Sequence, residues 1–444
     1  MTKPRLPSFH IVNLGCKVNR VEADTMAACL LAAGAVGSAL SRADVVLINT
    51  CTVTCGADAK SRKEVRRAAK YAPRWATIII CGCGAVTVPR EFKKGIIGRG
   101  ETRVKRYGYP ACIIEIIPQK PAALTRAGEV LGLAIPECAF DDAVVRVGKG
   151  FPTRVAIKIQ DGCDHACSYC IVPLARGRAQ SLPLTQALEQ IAAQVQAGAR
   201  EVILTGIDLG SYQDGAYGLE HLLGRALEVA EGFRLRLSSI ELPSITDGLI
   251  QLIAASEGRI CAHLHIPLQS GSDSVLKAMG RRYDRAAYSS RIAAIRETLP
   301  QVALTTDAIV GFPGETHEDF QQTLALCREM GFCHIHVFRY SKRPGTRAAG
   351  LPDQVPAQLM VKRASKLRAL AKQLRCEDAQ RRVGSREAVV YERRQEGRSE
   401  SYYPVRMARR AHRGDLVTME ITGYEDGMLT VSKPYCQLGT KSLC

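Results

Sequence analysis

Residues Arg154-Val-Ala-Ile-Lys-Ile159-Gln-Asp161-Gly-Cys163-Asp-His-Ala-Cys167-Ser-Tyr-Cys170 join a strand-like apolar run to three cysteines spaced C-x3-C-x2-C. With 17 cysteines in 444 residues, chance produces this spacing in roughly one chain in forty. Three thiolates on one short loop can hold three irons of a cubane and leave the fourth iron open to another ligand. A structural zinc site, or simple buried thiols, is the competing reading. Zinc wants four ligands, and His165 has little room to swing back within so tight a loop.

The chain around this loop repeats one rhythm. Apolar runs at 154–159, 201–205, 234–240, 260–266, 302–310 and 333–338 alternate with helical patterns. Between the first two, Leu184, Leu188, Ile191 and Val195 recur at helical steps after the start signals Ser181 and Pro183, which predicts an amphipathic crossover helix. Six βα units predict a barrel-like curved parallel sheet, two units short of a closed (β/α)8 barrel, with its active site at the strand carboxyl ends.

Upstream, apolar runs at 8–14, 44–49 and 76–81 are separated by helical stretches within 21–33 and 57–72. That is β-α-β-α-β, with parallel neighbouring strands. Cysteines follow the strands: Cys16, then Cys51, then Cys81 and Cys83. They should share the carboxyl edge of one sheet, where open α/β sheets bind ligands; small apolar residues at strand ends is the competing reading. Residues 90–120 carry no clear period. After Pro356 a basic helical stretch runs to about 382, and strand-like runs follow at 387–391, 401–407, 415–423 and 427–431, with Glu425-Asp426-Gly427 as a hairpin turn. The expected class is α/β throughout: an N-terminal three-layer α/β domain over 1–125, a partial (β/α)6 barrel over 149–383, and a small antiparallel β-barrel over 384–444.

Hydrophobic residues at 46% and charged residues at 23% exclude disordered and fibrous classes. The net charge of +18 favours a polyanionic partner, nucleic acid or an anionic membrane face. Apolar runs at 27–36 and 77–86 fall short of the ~18 residues that span a bilayer. The opening Met1-Thr-Lys-Pro-Arg-Leu-Pro7 lacks the pattern of a signal peptide, so a cytoplasmic chain with reduced cysteines is expected. Between 356 and 413, 16 Lys/Arg face 6 Asp/Glu, interleaved with Tyr391, Tyr402 and Tyr403, a mixture suited to nucleic-acid backbones and exposed bases. Seven further Lys/Arg crowd residues 60–74. For each patch the alternative is an ordinary solvated face.

Tyr169 completes a C-x3-C-x-aromatic-C pattern, and the loop resembles that of the radical S-adenosylmethionine superfamily. Further stretches are Gly15-Cys16-Lys-Val-Asn19, Asn49-Thr-Cys51-Thr-Val-Thr54, Cys170-Ile-Val-Pro-Leu-Ala-Arg-Gly177, His265-Ile-Pro-Leu-Gln-Ser-Gly271 and Asp307-Ala-Ile-Val-Gly-Phe-Pro-Gly-Glu315. With them nearly the whole chain resembles the methylthiotransferase family, whose third domain is an RNA-binding barrel called TRAM. The resemblance implies that Cys163, Cys167 and Cys170 hold a 4Fe–4S cluster on which S-adenosylmethionine is cleaved to a 5′-deoxyadenosyl radical. It also implies an auxiliary 4Fe–4S cluster on Cys16, Cys51 and Cys83, carrying the sulfur to be transferred. Tyr169, Gly206, Ser238 and Gln269 resemble cofactor-contacting positions, although satisfied core polar groups explain Ser238 and Gln269 equally well. The implied partners are tRNA, a low-potential electron donor and a sulfur donor, with no membrane; no side chain is assigned the chemical step.

The motifs around Cys16 and Cys51 most resemble the branch that methylthiolates carbon 2 of threonylcarbamoyladenosine at tRNA position 37. The same reaction on isopentenyladenosine or on a ribosomal-protein aspartate is the alternative, and a non-catalytic, redox-sensing RNA-binding protein is an alternative of another class. Two stretches depart from the family pattern: residues 90–120, and Cys81-Gly-Cys83-Gly84, where Cys81 competes with Cys83 for iron. Because the sheet ends before the tail, removing 384–444 is expected to weaken tRNA binding yet spare both clusters. Charge reversal at Arg409 and Arg410 should do part of the same.

Overall fold

The computed structural model describes residues 5–94, 112–142, 153–393, 395–407 and 412–432. Expectations for most of the aperiodic stretch 90–120, for the boundary at 149, and for Arg409 and Arg410 lie outside the described residues. The chain packs as two units: Met1–Arg146 with Asp161–Ala179 and Ser341–Ala349, and Val147–Gln160 with Gln180–Tyr340 and Gly350–Cys444. The cysteine loop after the first barrel strand thus belongs to the same unit as the N-terminal sheet.

In that first unit, strands β1 (Ser8–Asn13), β2 (Val36–Gly37), β3 (Val45–Thr50), β4 (Thr77–Gly82) and β5 (Ile113–Ile116) pair in the order β2-β1-β3-β4-β5. All neighbours are parallel. The segments Val-Val-Leu-Ile-Asn-Thr of β3 and Thr-Ile-Ile-Ile-Cys-Gly of β4 are buried at every position. Continuous apolar runs of this kind suit a parallel sheet covered on both faces. Helix α1 (Lys17–Ala32) and the helix Lys120–Leu131 cover one face through Met26, Leu30, Ala123 and Leu124, which pack on Val45, Leu47 and Ile79. Helix α2 (Cys55–Tyr71) covers the other through Val65, Ala68 and Ala69, packed on Val46, Ile48 and Ile78. This is the expected three-layer domain. The two strands missing from the sequence reading are both edges: β2 is two residues long, and β5 is a short run beside the aperiodic segment.

The second unit holds the six expected strands. Val155–Lys158, Glu201–Thr205 and Arg234–Leu237 make one parallel sheet, and His263–His265, Ala303–Val310 and His334–Arg339 another. Parallel bridges Leu235–Ile260 and Ser239–His265 join the two, so six strands run in chain order. Their outer face, with Leu204, Leu235, Leu264, Leu304 and Ile335, enters the helix-covered core. The expected helix is Leu184–Gln196, with Ile191 and Val195 buried and Leu184 and Leu188 at the core margin.

After the helix Ala357–Arg381, five strands close into a barrel: Arg386–Arg393, Glu396–Ser399, Pro404–Arg406, Leu416–Glu425 and Met428–Val431. All neighbours are antiparallel except Pro404–Arg406 with Met428–Val431, the parallel pair that completes the closure. Asp426 (φ +50°) and Gly427 (φ +80°) make the anticipated hairpin. The polar strand Glu396–Ser399 has no β-forming residues and was not expected.

Three tail expectations are corrected here. The aromatics of the basic stretch are not base-stacking surfaces, because Tyr391 and Tyr403 are 1% and 0% exposed. The Tyr403 hydroxyl donates to Asp378 at 2.9 Å. Tyr402, in a left-handed conformation (φ +70°), lies 5.5, 5.0 and 5.2 Å from the guanidinium carbons of Arg154, Arg236 and Arg398. Part of the positive excess is neutralised internally, by buried Arg363 on Glu315 (2.7 Å) and Arg382 on Asp378 (2.8 Å) and Glu387 (3.0 Å).

The tail is also no independent appendage. Wholly buried Arg234 and Arg236 meet Glu201 at 2.7 and 2.8 Å and donate to the tail carbonyls of Ala388 (2.7 Å), Glu400 (2.8 Å) and Ser399 (3.0 Å). Burial alone would raise the Glu201 carboxyl, but Arg236, Arg234 and Arg154 hold it well below the usual carboxylate range. Removing 384–444 would leave these arginines with Glu201 alone and strip them of their tail acceptors.

Candidate active site: two cysteine sets and a polar strand face

The carboxyl ends of β1, β3 and β4 carry the three N-terminal cysteines. Cys16 sits at the start of α1, Cys51 directly after β3, and Cys83 begins the short helix α3 (Cys83–Thr87). Asn19, one turn into α1, gathers them. Its amide nitrogen donates to the carbonyls of Leu14 (2.8 Å) and Thr50 (3.1 Å), tying the loops after β1 and β3 together. Its Oδ1 faces the sulfurs of Cys16 (3.8 Å) and Cys83 (4.0 Å). Gly15 (φ +109°) is required there, because a Cβ would lie 2.8 Å from Cβ and 2.9 Å from Sγ of Cys51.

Burial pushes the Cys51 and Cys83 thiols up, and each of them senses Cys16. Such thiols are inert unless a metal takes the place of the proton. Cys81 is different: wholly buried, pushed up to about 12 by burial, it packs with Phe9, Met26 and Leu30 under α1, its sulfur 3.7 Å from the Ile48 carbonyl. Cys81 lies inside β4 and packs under α1, whereas Cys83 lies past the end of the strand, at the start of α3.

The C-x3-C-x2-C loop lies in the same unit, with Cys163, Cys167 and Cys170 partly exposed. Its turns are set by hydrogen bonds from the Cys163 amide to Gly177 (3.1 Å) and the Cys170 amide to Cys167 (3.2 Å). Tyr169 is half-buried between them. The remote segment 341–349 fastens this loop: Arg347 donates to the Ala166 carbonyl, and the Ala348 amide to that of Ser168 at 2.8 Å. The same segment reaches α2 and the loop before it, where buried Arg343 meets Asp58 and Thr52, both at 2.6 Å.

Arg176 links the two sets. It ends the short helix Val172–Arg176 and is almost fully buried. It pairs with Asp161 of the loop at 2.8 Å and with Glu22 of α1 at 3.0 Å, and donates to Asn19 Oδ1. Burial opposes its charge, but Glu22, Cys83 and Asp161 raise its pKa. The sequence offered Asn19 only as a motif letter, and Arg176 as a side chain able to orient cofactor or substrate or to make structural hydrogen bonds; the missed signal is that Asn19 and Glu22 follow Cys16 at helical steps of three, so all three face one side.

In the second unit, Ser238 follows the strand Arg234–Leu237, and its buried hydroxyl has no hydrogen-bond partner among the described residues. Gln269 holds a left-handed backbone (φ +66°), its amide donating to the Asp307 carbonyl at 2.8 Å. Strained non-glycine backbone of this kind clusters at ligand sites. Gly206 has a local reason to be glycine: a Cβ would sit 2.8 Å from the Gln160 side-chain oxygen, which itself accepts from the Ile207 and Asp208 amides. In the first unit two sets of three thiols fit iron–sulfur clusters; in the second, a buried hydroxyl and a strained backbone fit a polar ligand.

Residues 157–327 match the radical SAM superfamily, and residues 8–97, with Cys16, Cys51 and Cys83, match a family described as uncharacterized protein family UPF0004. The threonylcarbamoyladenosine tRNA methylthiotransferase MtaB of Bacillus subtilis is 38% identical over 379 residues, 83% of this chain and 80% of the relative. This chain belongs to the radical SAM tRNA methylthiotransferase family. MtaB of Rickettsia prowazekii is 33% identical over 94% of this chain and 96% of its own length. The tRNA-2-methylthio-N(6)-dimethylallyladenosine synthase of Syntrophobacter fumaroxidans is 34% identical over 83% and 81%. A solved radical S-adenosylmethionine methyltransferase, TsrM of Kitasatospora setae, shares the fold, with a TM-score of 0.54 at 15% identity over 78% of this chain and 77% of that one. As a radical SAM tRNA methylthiotransferase, the protein uses 4Fe–4S clusters and S-adenosylmethionine. Among the described residues no helix is long and apolar enough to cross a membrane.

Proposed function

We propose that this methylthiotransferase inserts its methylthio group at carbon 2 of threonylcarbamoyladenosine at position 37 of tRNA. The convergence of Cys16, Cys51 and Cys83 around Asn19, in one unit with the C-x3-C-x2-C loop, supports sulfur insertion. The 38% identity to a threonylcarbamoyladenosine enzyme supports the substrate. The segments 1–125, 149–383 and 384–444 are our division into sulfur-carrying, radical and RNA-binding parts.

In this reading Cys163, Cys167 and Cys170 hold one cluster and Cys16, Cys51 and Cys83 the other, while Tyr169, Gly206, Ser238 and Gln269 receive S-adenosylmethionine. The bound groups supply an organic radical able to take hydrogen from an unactivated carbon, and the sulfur that replaces it. The chain's own contribution is positional. Asn19 fixes the mutual placement of the strand-end loops, Arg176 ties α1 to the radical loop, and the Ser238 hydroxyl offers a buried donor to the cofactor. tRNA is held by charge, for which α2 presents exposed Lys60, Lys63, Arg66, Arg67 and Lys70 beside the exposed rings of Tyr71 and Trp75.

Nucleoside mass spectrometry of tRNA from a deletion strain tests the substrate. The expected result is loss of the methylthio group from threonylcarbamoyladenosine alone. Its loss from isopentenyladenosine instead would transfer the chain to the activity that the 34% identical relative's name carries.

A further inference from the structure

The inner face of the second unit's last three strands is polar. Alternation sends Leu264, Leu304, Ala308 and Ile335 into the helix-covered core and leaves His265, Thr305, Asp307, His334, His336 and Phe338 on the opposite face. The register sets Asp307 beside His336, and Thr305 beside both His265 and His334. The His265 ring is oriented by Thr305, whose hydroxyl lies 2.9 Å from Nδ1, while Nε2 lies 3.3 Å from the Asp307 carboxylate. Ring centroids are 5.7 Å apart for His265 and His336 and 4.4 Å for His334 and His336. One nitrogen or oxygen from each of His265, Asp307 and His336 falls within 4.8 Å of the others. His336 is exposed, and Phe338, two residues on, is 40% exposed.

We propose that His265, Asp307 and His336 form the pocket for the substituent on N6 of the target adenosine, and that it selects a carbamoyl-amino-acid group over a prenyl group. The proposal rests on the threonylcarbamoyladenosine reading above and names the residues that enforce it. A carbamoyl-threonine presents an amide N–H and a hydroxyl to Asp307, and a carboxylate to imidazole N–H donors. A prenyl group offers none of these, so burying it here would leave the carboxylate and imidazoles without the water they lose, and a site built to hydrogen-bond rejects the analogue that cannot. Phe338, on the same face, gives the purine a flat apolar surface.

The test uses the full-length, cluster-reconstituted protein and three tRNAs alike except at position 37, which carries threonylcarbamoyladenosine, isopentenyladenosine or adenosine. The wild type should bind the first at least tenfold tighter than the second. His336→Phe, on an exposed position, should collapse that ratio to within about threefold by weakening the threonylcarbamoyladenosine tRNA, and His336→Gln, which keeps a donor, should restore part of it. Wild-type discrimination retained in both variants would overturn the pocket and leave the substrate reading standing. A wild type that prefers the isopentenyl tRNA would overturn both. A divalent metal retained beyond the cluster iron in wild type and lost in His336→Phe would show a metal centre instead and overturn the pocket.

Discussion

Arg176 shows how much a single side chain does in the first unit, since one buried guanidinium serves Asp161, Glu22 and Asn19. Removing one member of a buried ion pair costs about 3–5 kcal/mol. Glu22 keeps Lys120 at 2.8 Å, so the loss in Arg176→Met should fall near the lower end. Urea unfolding measures it, and an unchanged midpoint would show that the pairings contribute nothing. His334 offers a pH test. Burial, then His336, Arg375 and His265, pull its pKa down to about 4 from 6.5. The unfolded chain therefore takes up this proton below about pH 6.5 while the folded chain resists until about 4, so stability falls as pH drops between those values and is unaffected above them. His334→Gln should shallow that fall in thermal melts recorded from pH 7 to 4; an identical acid limb would remove His334 from the account. At this scale the sequence was legible where spacing carried chemistry, as in C-x3-C-x2-C. It was illegible where the partner was remote: Arg176 to Glu22 spans 154 residues, and Cys81 differs from Cys83 by where β4 ends, the first inside the strand and the second starting α3.

Strands and helices were readable wherever they buried a continuous apolar run or a helical stripe, which is why β1, β3, β4 and all six strands of the second sheet fell near their expected positions. Charged residues misled. The strand at 234–240 was expected, but not that its Arg234 and Arg236 are wholly buried on Glu201 and on carbonyls of the tail barrel. Deleting 384–444 should therefore lower the melting temperature of the second unit or leave the protein insoluble; a truncated chain that melts like the wild type would restore the tail to an appendage. The tyrosines of that barrel were misread for the same reason, because a ring among cations is as well suited to a packed core as to a base. Helix α2 keeps its charges outward. Lys63→Glu, Arg66→Glu and Lys70→Glu together should weaken tRNA binding and flatten log K against log salt by ~0.7 to 0.9 for each phosphate no longer neutralised. An unaltered slope would make α2 an ordinary solvated face.

For the whole molecule, the sequence conveyed three kinds of domain but not how the chain is partitioned. The C-x3-C-x2-C loop follows a strand of one unit yet packs in the other, joined there by residues 341–349. No local pattern announces such an exchange, because the pairings that create it, Arg176 with α1 and Arg343 with α2, are single side chains meeting across more than 150 residues. Its consequence is that both cysteine sets are carried by one unit, held by Asn19 and Arg176, while remaining separate sites. The central claim is that division of labour. The most direct measurement takes the Cys16→Ala, Cys51→Ala, Cys83→Ala protein, reconstituted without oxygen and reduced with dithionite, and quantifies iron, 5′-deoxyadenosine and methylthiolated nucleoside together. The account predicts a fall from about eight irons to about four, continued formation of 5′-deoxyadenosine, and no methylthio product; methylthiolated tRNA formed by that variant would contradict it.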